Sequence, residues 1–218
     1  MKKRILFGAA AVLVVLLLVY GRDLLDLYRL QRYIDDSAAA YQAEGGAWPQ
    51  LADVCMGCHG VAGNSQHQGY PSLAGQPARY VEEQLRKFAS GQRANPHMTP
   101  LAMSLSDAER ARLAEHFARQ APAANTSFEP DPQLREKGQQ LVSKAGCAAC
   151  HGERLMGGQE FARLAGQGVD YLAAQLDAFA SGARSEPSGV MKTLSAAASP
   201  DERKAIASYL ASLAPQAR

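Results

Sequence analysis

The chain has 218 residues, with 23 Lys+Arg against 21 Asp+Glu, four Cys and a hydrophobic fraction of 47%. A formal net charge of +2 is too weak and too evenly spread for a nucleic-acid binder, and the composition excludes global disorder. Four cysteines are too few for a disulfide-dense scaffold, so they need an explanation of their own.

Lys2, Lys3 and Arg4 precede an uncharged apolar run over residues 5–20. As a helix at about 1.5 Å per residue it spans roughly 25 Å, enough for a hydrocarbon core with local thinning. No small-x-small cleavage site follows at Val19, Tyr20 and Gly21. The run therefore reads as an uncleaved transmembrane anchor over residues 1–21, with a cleaved secretory signal as the alternative. The basic end stays in the cytoplasm, so the rest of the chain faces the periplasm of a bacterial inner membrane. Residues 22–46 read as a helical stalk, with Leu24, Leu27, Tyr28, Leu30 and Ile34 at near-helical spacing.

The remainder repeats itself. Residues 73–93 (LAGQPARYVEEQLRKFASGQR) and 164–184 (LAGQGVDYLAAQLDAFASGAR) agree at twelve of 21 positions without a gap. The offset is 92 at the cysteines, 91 in this block and 93 at the end, so each copy is a whole small domain. The expected domains are residues 47–120 and 133–218. Residues 121–132, which hold three of the eleven prolines, are the linker.

Each copy reads as all-α. A helix is expected at or just before the cysteine pair, the second one opening at Asp131-Pro132. A middle helix follows over 77–89 and 168–180. The last helix opens with a capping box, Ser106 to Glu109 and Ser199 to Glu202. Large apolar residues are few for a domain of this size, so something else should fill each core.

Both copies carry C-x-x-C-H: Cys55, Cys58 and His59, then Cys147, Cys150 and His151. Two thiols three positions apart on one helical turn can add to the two vinyl groups of a haem, and the adjacent histidine can then ligate iron. A zinc site would want further ligands at suitable spacing, and a redox Cys pair would want a βαβ setting. Neither is found, which points to two covalently bound haem c groups.

The sixth ligand can be sought by comparing the copies. Met98 and Met191 each precede the Ser of the capping box by eight residues. Met56, Met103, Met156, His97 and His116 align with Ala148, Ala196, Asn64, Val190 and Tyr209, and His67 has no counterpart. Met98 and Met191, in a loop before the last helix, are the candidate distal ligands, and His97 stays as an alternative in the first copy. Arg93 and Arg184 also match. They read as a cation near a haem propionate, as residues between the two domains, or as ordinary surface arginines. Tyr80 and Tyr171 read as helix packing, with haem contact as the alternative.

CxxCHG, LAGQxxxYxxxQLxxFxxGxR, a distal Met and LSxxE, each present twice over residues 50–214, resemble the class I cytochromes c and specifically the diheme cytochrome c4 family. The resemblance implies haems held by Cys55, Cys58, Cys147 and Cys150, proximal ligands His59 and His151, and distal ligands Met98 and Met191. It also implies that the carbonyl at Pro71 accepts from the proximal imidazole, with Ala162 in its place in the second copy.

The expected function is a membrane-anchored diheme electron carrier. Its donor would be a quinol-oxidising complex or dehydrogenase, its acceptor a terminal oxidase or reductase. Docking would rest on small apolar surfaces at the haem edges. The alternatives are a haem subunit of a larger complex, and a peroxidase or sulfur-compound dehydrogenase with one labile axial ligand.

Overall fold

The computed structural model describes the backbone of residues 2–43 and 50–216, and the side chains of residues 16–17, 19–36, 38–39 and 50–216. Among these residues there is no strand, only an isolated bridge between Gly158 and Phe161.

Helix α1 (Lys2–Ala43) belongs to a first unit, Met1–Gln50. Leu24, Leu27, Tyr28, Leu30 and Ile34 are all exposed on it. Arg29 pairs with Asp26 at 3.2 Å one turn away. Among the described residues no helix is long and apolar enough to cross a membrane. The anchor expected over residues 1–21 falls on the first half of α1, where most side chains of the apolar run over residues 5–20 are outside those described.

The second unit, Leu51–Arg218, holds both copies of the repeat as two lobes. The first lobe contains α2 (Met56–His59), α3 (Ala78–Ala89), α4 (Met98–Met103) and α5 (Asp107–Arg119). The second contains α6 (Pro132–Lys144), α7 (Ala148–His151), α8 (Val169–Ser181), α9 (Val190–Ala197) and α10 (Pro200–Ala211). In the first lobe α3 packs on α4 and α5; in the second α8 packs on α9 and α10, and α10 on α6.

Local sequence accounts for the helix starts. Ser106 and Ser199 form complete capping boxes with Glu109 and Glu202. Asp131 Oδ1 accepts from the amides of Gln133 and Leu134, both at 2.9 Å, which opens α6 ahead of Pro132. Gly138 lets α6 press on α10, since a Cβ there would stand 2.0 Å from the Ala205 oxygen. The helix expected before Cys55 falls partly on residues 44–49, outside those described; the part described is a 3-10 turn, Asp53–Cys55.

The two cores are small. Val81, Leu85, Phe88, Leu113 and Phe117 form one; Val142, Leu155, Met156, Leu172, Ile206 and Leu210 form the other. At about 1.5–3 kcal/mol for each large side chain, this is a thin hydrophobic contribution for two domains. The segment 121–131 lacks regular structure but is tied down, and the last residue of the expected linker, Pro132, already belongs to α6. Asn125 and Gln68 exchange amide hydrogen bonds at 2.9 and 3.0 Å, and Asn64 Oδ1 accepts from the Ala123 amide at 2.8 Å.

Candidate functional site

Each C-x-x-C-H sits on a single helical turn. Cys55 and Cys147 cap α2 and α7, so the two thiols of each pair flank one turn and the histidine closes it. The glycine after each histidine reverses the chain at positive φ, Gly60 at 77° and Gly152 at 79°. At Gly60 a Cβ would come within 1.9 Å of the Asn64 oxygen, so no larger residue fits that turn.

The reversal brings a carbonyl to each imidazole. His59 Nδ1 donates to the Pro71 oxygen at 2.8 Å, and His151 Nδ1 donates to the Ala162 oxygen at 2.8 Å. A carbonyl only accepts, so Nδ1 carries the proton and the Nε2 lone pair is free. Burial lowers the pKa of both histidines, outweighing the hydrogen bond that raises it. Each imidazole is thereby oriented with an Nε2 lone pair able to ligate a metal.

The donor set fits a covalently attached haem. All four cysteines are free thiols, and burial raises Cys55 and Cys147 above the ordinary thiol value. No group of three or more His, Cys, Asp or Glu able to hold a metal occurs among the described residues, so a zinc cluster lacks its ligands.

Met98 and Met191 occupy equivalent places, at the first turn of α4 and of α9. The sequence suggested a loop; both instead begin short helices, because each first turn has a side-chain cap. Asn95 Oδ1 accepts from the Met98 amide at 2.9 Å, and Glu186 Oε1 accepts from the Met191 amide at 3.0 Å. The far end of each helix is held by an arginine of the next one. Arg110 Nη1 donates to the Ala102 oxygen at 3.0 Å, and Arg203 Nη1 to the Ser195 oxygen at 3.2 Å. Met98 is half-buried against the first core, while His97 is exposed.

The seam between the lobes is reciprocal. Arg93 donates to Tyr171 Oη at 3.0 Å and to Gln175 Oε1 at 2.8 Å. Arg184 donates to Tyr80 Oη at 3.0 Å and to Gln84 Oε1 at 3.2 Å. Each guanidinium also lies over the phenylalanine of its own lobe, Arg93 on Phe88 at 4.5 Å and Arg184 on Phe179 at 4.6 Å. Burial works to raise the Tyr171 phenol, but Arg93 and Arg184 hold it below its ordinary value. Of the readings open for Arg93 and Arg184, the structure places them between the lobes.

A second reciprocal pair sits beside the imidazole anchors. Gln76 donates to the Arg163 oxygen at 3.0 Å and accepts from the Arg163 amide at 2.9 Å. Gln167 donates to the Ser72 oxygen at 3.0 Å and accepts from the Ser72 amide at 2.6 Å. Ser72 follows Pro71 and Arg163 follows Ala162, so each lobe's glutamine fixes the strip of main chain that orients the other lobe's histidine.

The cytochrome c family model matches residues 49–119 and 135–214. Cytochrome c4 of Thiocapsa roseopersicina is 37% identical over 171 residues, covering 73% of this chain and 87% of the relative. The thiosulfate dehydrogenase electron acceptor of Thiomonas intermedia (strain K12) is 34% identical, covering 79% of this chain and 84% of the relative. The solved structure of reduced cytochrome c4 from Pseudomonas stutzeri superposes with a TM-score of 0.69 at 30% identity, over 81% of this chain and 98% of that one.

Proposed function

The chain belongs to the cytochrome c family, as a diheme electron carrier of the c4 kind with two covalent haem c groups, and from that premise we propose how its residues hold and use them. Cys55 and Cys58 bind one haem and Cys147 and Cys150 the other. His59 and His151 are the proximal ligands, Met98 and Met191 the distal ones. The observation that carries this is the pair of neutral imidazoles, each with Nδ1 fixed to a carbonyl at 2.8 Å and Nε2 free. The matched placement of Met98 and Met191 at capped helix starts supports the distal pair.

His59 with Met98 and His151 with Met191 would hold the two irons, and haems so held would supply one-electron transfer with no position left for a substrate. The chain's own part is to keep that geometry fixed in both oxidation states. Pro71 and Ala162 hold the imidazoles, and Arg110 and Arg203 hold the helices that carry the methionines.

The carrier is tethered to a bacterial inner membrane with its haem lobes in the periplasm. The uncharged run of residues 5–20 behind Lys2, Lys3 and Arg4 supports this, as does the single helix from Lys2 to Ala43. The names of relatives as acceptors for thiosulfate dehydrogenase favour a dehydrogenase as donor; the acceptor is a terminal oxidase or reductase.

A spectroscopic redox titration of membranes, with intact mass, tests the proposal. Two low-spin haems are expected on an uncleaved chain. Met98→Ala and Met191→Ala should each lower one potential only, on the order of tenths of a volt within the roughly 0.8 V that axial ligation spans, and open that iron to carbon monoxide. A variant with an unchanged spectrum would refute its ligand assignment, and a resting high-spin haem would favour an enzyme instead.

A further inference from the structure

Most of the seam is duplicated, but Arg163 is not. Arg163 occupies the position that Ser72 holds in the first lobe, and it is 1% exposed. Its Nε donates to the Ala74 oxygen at 3.1 Å and its Nη2 to the Ser72 oxygen at 3.4 Å, both in the first lobe. Its Nη1 donates to the Ala165 oxygen in its own lobe. Every one of these partners is a neutral carbonyl, and no carboxylate pairs with Arg163 among the described residues. Burial alone lowers its pKa, to about 10, so the group stays charged at neutral pH. A buried, uncompensated cation is costly to the fold. Three carbonyls give each of its three nitrogens a partner, but no carboxylate among the described residues opposes its charge.

The location of that charge suggests its use. Arg163 directly follows Ala162, whose oxygen holds His151. Its Nη2 reaches the oxygen of Ser72, which directly follows Pro71, whose oxygen holds His59. One fixed positive charge therefore stands beside both imidazole anchors. Oxidised haem carries one more positive charge than reduced haem, and a nearby fixed cation disfavours it. In a dry seam this interaction is stronger than in water.

We propose that Arg163 is a positioning residue for electron transfer: a single buried cation, held between the lobes by main-chain carbonyls, that raises the reduction potentials of both haems together. This rests on the haem reading above. The seam thus does more than join two carriers, because it lets one side chain set the redox level of the pair.

The test is a spectroelectrochemical titration of the full haem-loaded chain carrying Arg163→Met or Arg163→Lys, with thermal unfolding alongside. For Arg163→Met both midpoints should fall, each by about a tenfold change in its one-electron equilibrium constant, which is 59 mV. Both haems should remain low-spin. Arg163→Lys keeps the charge but not the planar fork, so its midpoints should stay near the parent's while its unfolding temperature drops. If Arg163→Met fails to take up haem, Arg163→Gln carries the same expectation for the midpoints. The proposal is overturned if the neutral variant leaves either midpoint in place, or if Arg163→Lys lowers both as far as Arg163→Met does. A parent protein without low-spin haem absorbance would refute the haem reading instead.

Discussion

The two lobes are nearly interchangeable where they touch and differ where they face away. Gln76, Tyr80, Gln84 and Arg93 meet Gln167, Tyr171, Gln175 and Arg184 across a pseudo-two-fold seam. In such an isologous contact a residue and its copy play the same part, so the same side chain suits both places. Away from the seam that restraint is absent. Val54, Met56 and Met103, all exposed, are replaced by Gly146, Ala148 and Ala196. Arg203 Nε meets Asp177 at 2.6 Å, whereas the residue in Asp177's place in the first lobe is Arg86, and Arg110 Nε is left without a partner. Identity between the lobes thus marks the paired contacts of the seam, while divergence, with Arg163 against Ser72 and Pro71 against Ala162 included, marks what one lobe does differently from the other.

The strongest way to break this symmetry is at the glutamines. Gln76→Leu and Gln167→Leu each remove two hydrogen bonds across the seam; the first strands the Arg163 amide and carbonyl, the second the Ser72 amide, since the Ser72 carbonyl keeps its bond from Arg163 Nη2. An orphaned buried group costs about 1–3 kcal/mol, so each variant should lose roughly 2–4 kcal/mol in denaturant unfolding. Gln167→Leu should lose about as much as Gln76→Leu, because its oxygen also accepts from the Gly168 amide at 3.0 Å, a second group left without its partner. A neutral result for one variant and a large one for the other would show that the seam is not reciprocal in energy.

These glutamines also mark the limit of the sequence reading. The haem motif, the capping boxes and the helix periods are local patterns of three to four residues, and the structure contains the boxes and the middle helices with ends displaced by one residue. The seam joins residues such as Arg93 and Tyr171 or Gln76 and Arg163, far apart in the chain, and no local period reports that. A signal was present all the same: Gln76 with Gln167, and Gln84 with Gln175, are identical in both copies, whereas the charged residues Arg79, Glu82, Glu83, Arg86 and Lys87 between them and nearby all differ. Arg163 offered no such signal, because its counterpart is Ser72. The helical start at Met98 was missed because its cap, Asn95, lies outside the repeated block.

A smaller difference can be sharpened with acid. The first turn of α4 is capped by an amide, Asn95, and that of α9 by a carboxylate, Glu186. Burial pushes Glu186 up, but hydrogen bonds from Ser188 and the Met191 amide bring it below its ordinary value of 4.5. A folded value below the unfolded one means the carboxylate stabilises this turn above pH 4.5 and loses that contribution as pH falls through the lowered value. Acidification should therefore lower the protection of the Ser188 and Met191 amides, read as exchange relative to each amide's intrinsic rate at that pH, while leaving the protection of Met98 unchanged. Equal loss of protection at both helix starts would show that the caps are not what separates them.

The smallest effect is expected at the imidazole anchors, where Pro71 in one lobe faces Ala162 in the other. His151 reaches the Ala162 oxygen at 2.8 Å, the same distance as His59 to Pro71, so a carbonyl suffices to orient the ring. What the proline ring adds is a fixed φ, which restricts the unfolded chain. Pro71→Ala should then lower unfolding stability by about 0.4–1 kcal/mol and leave the low-spin spectrum of the first lobe unchanged. If that substitution instead removed the low-spin signal, the ring itself would be needed to hold His59. The likeness of the two anchors would then be one of distance only, with the second lobe supported by some contact that the first lacks.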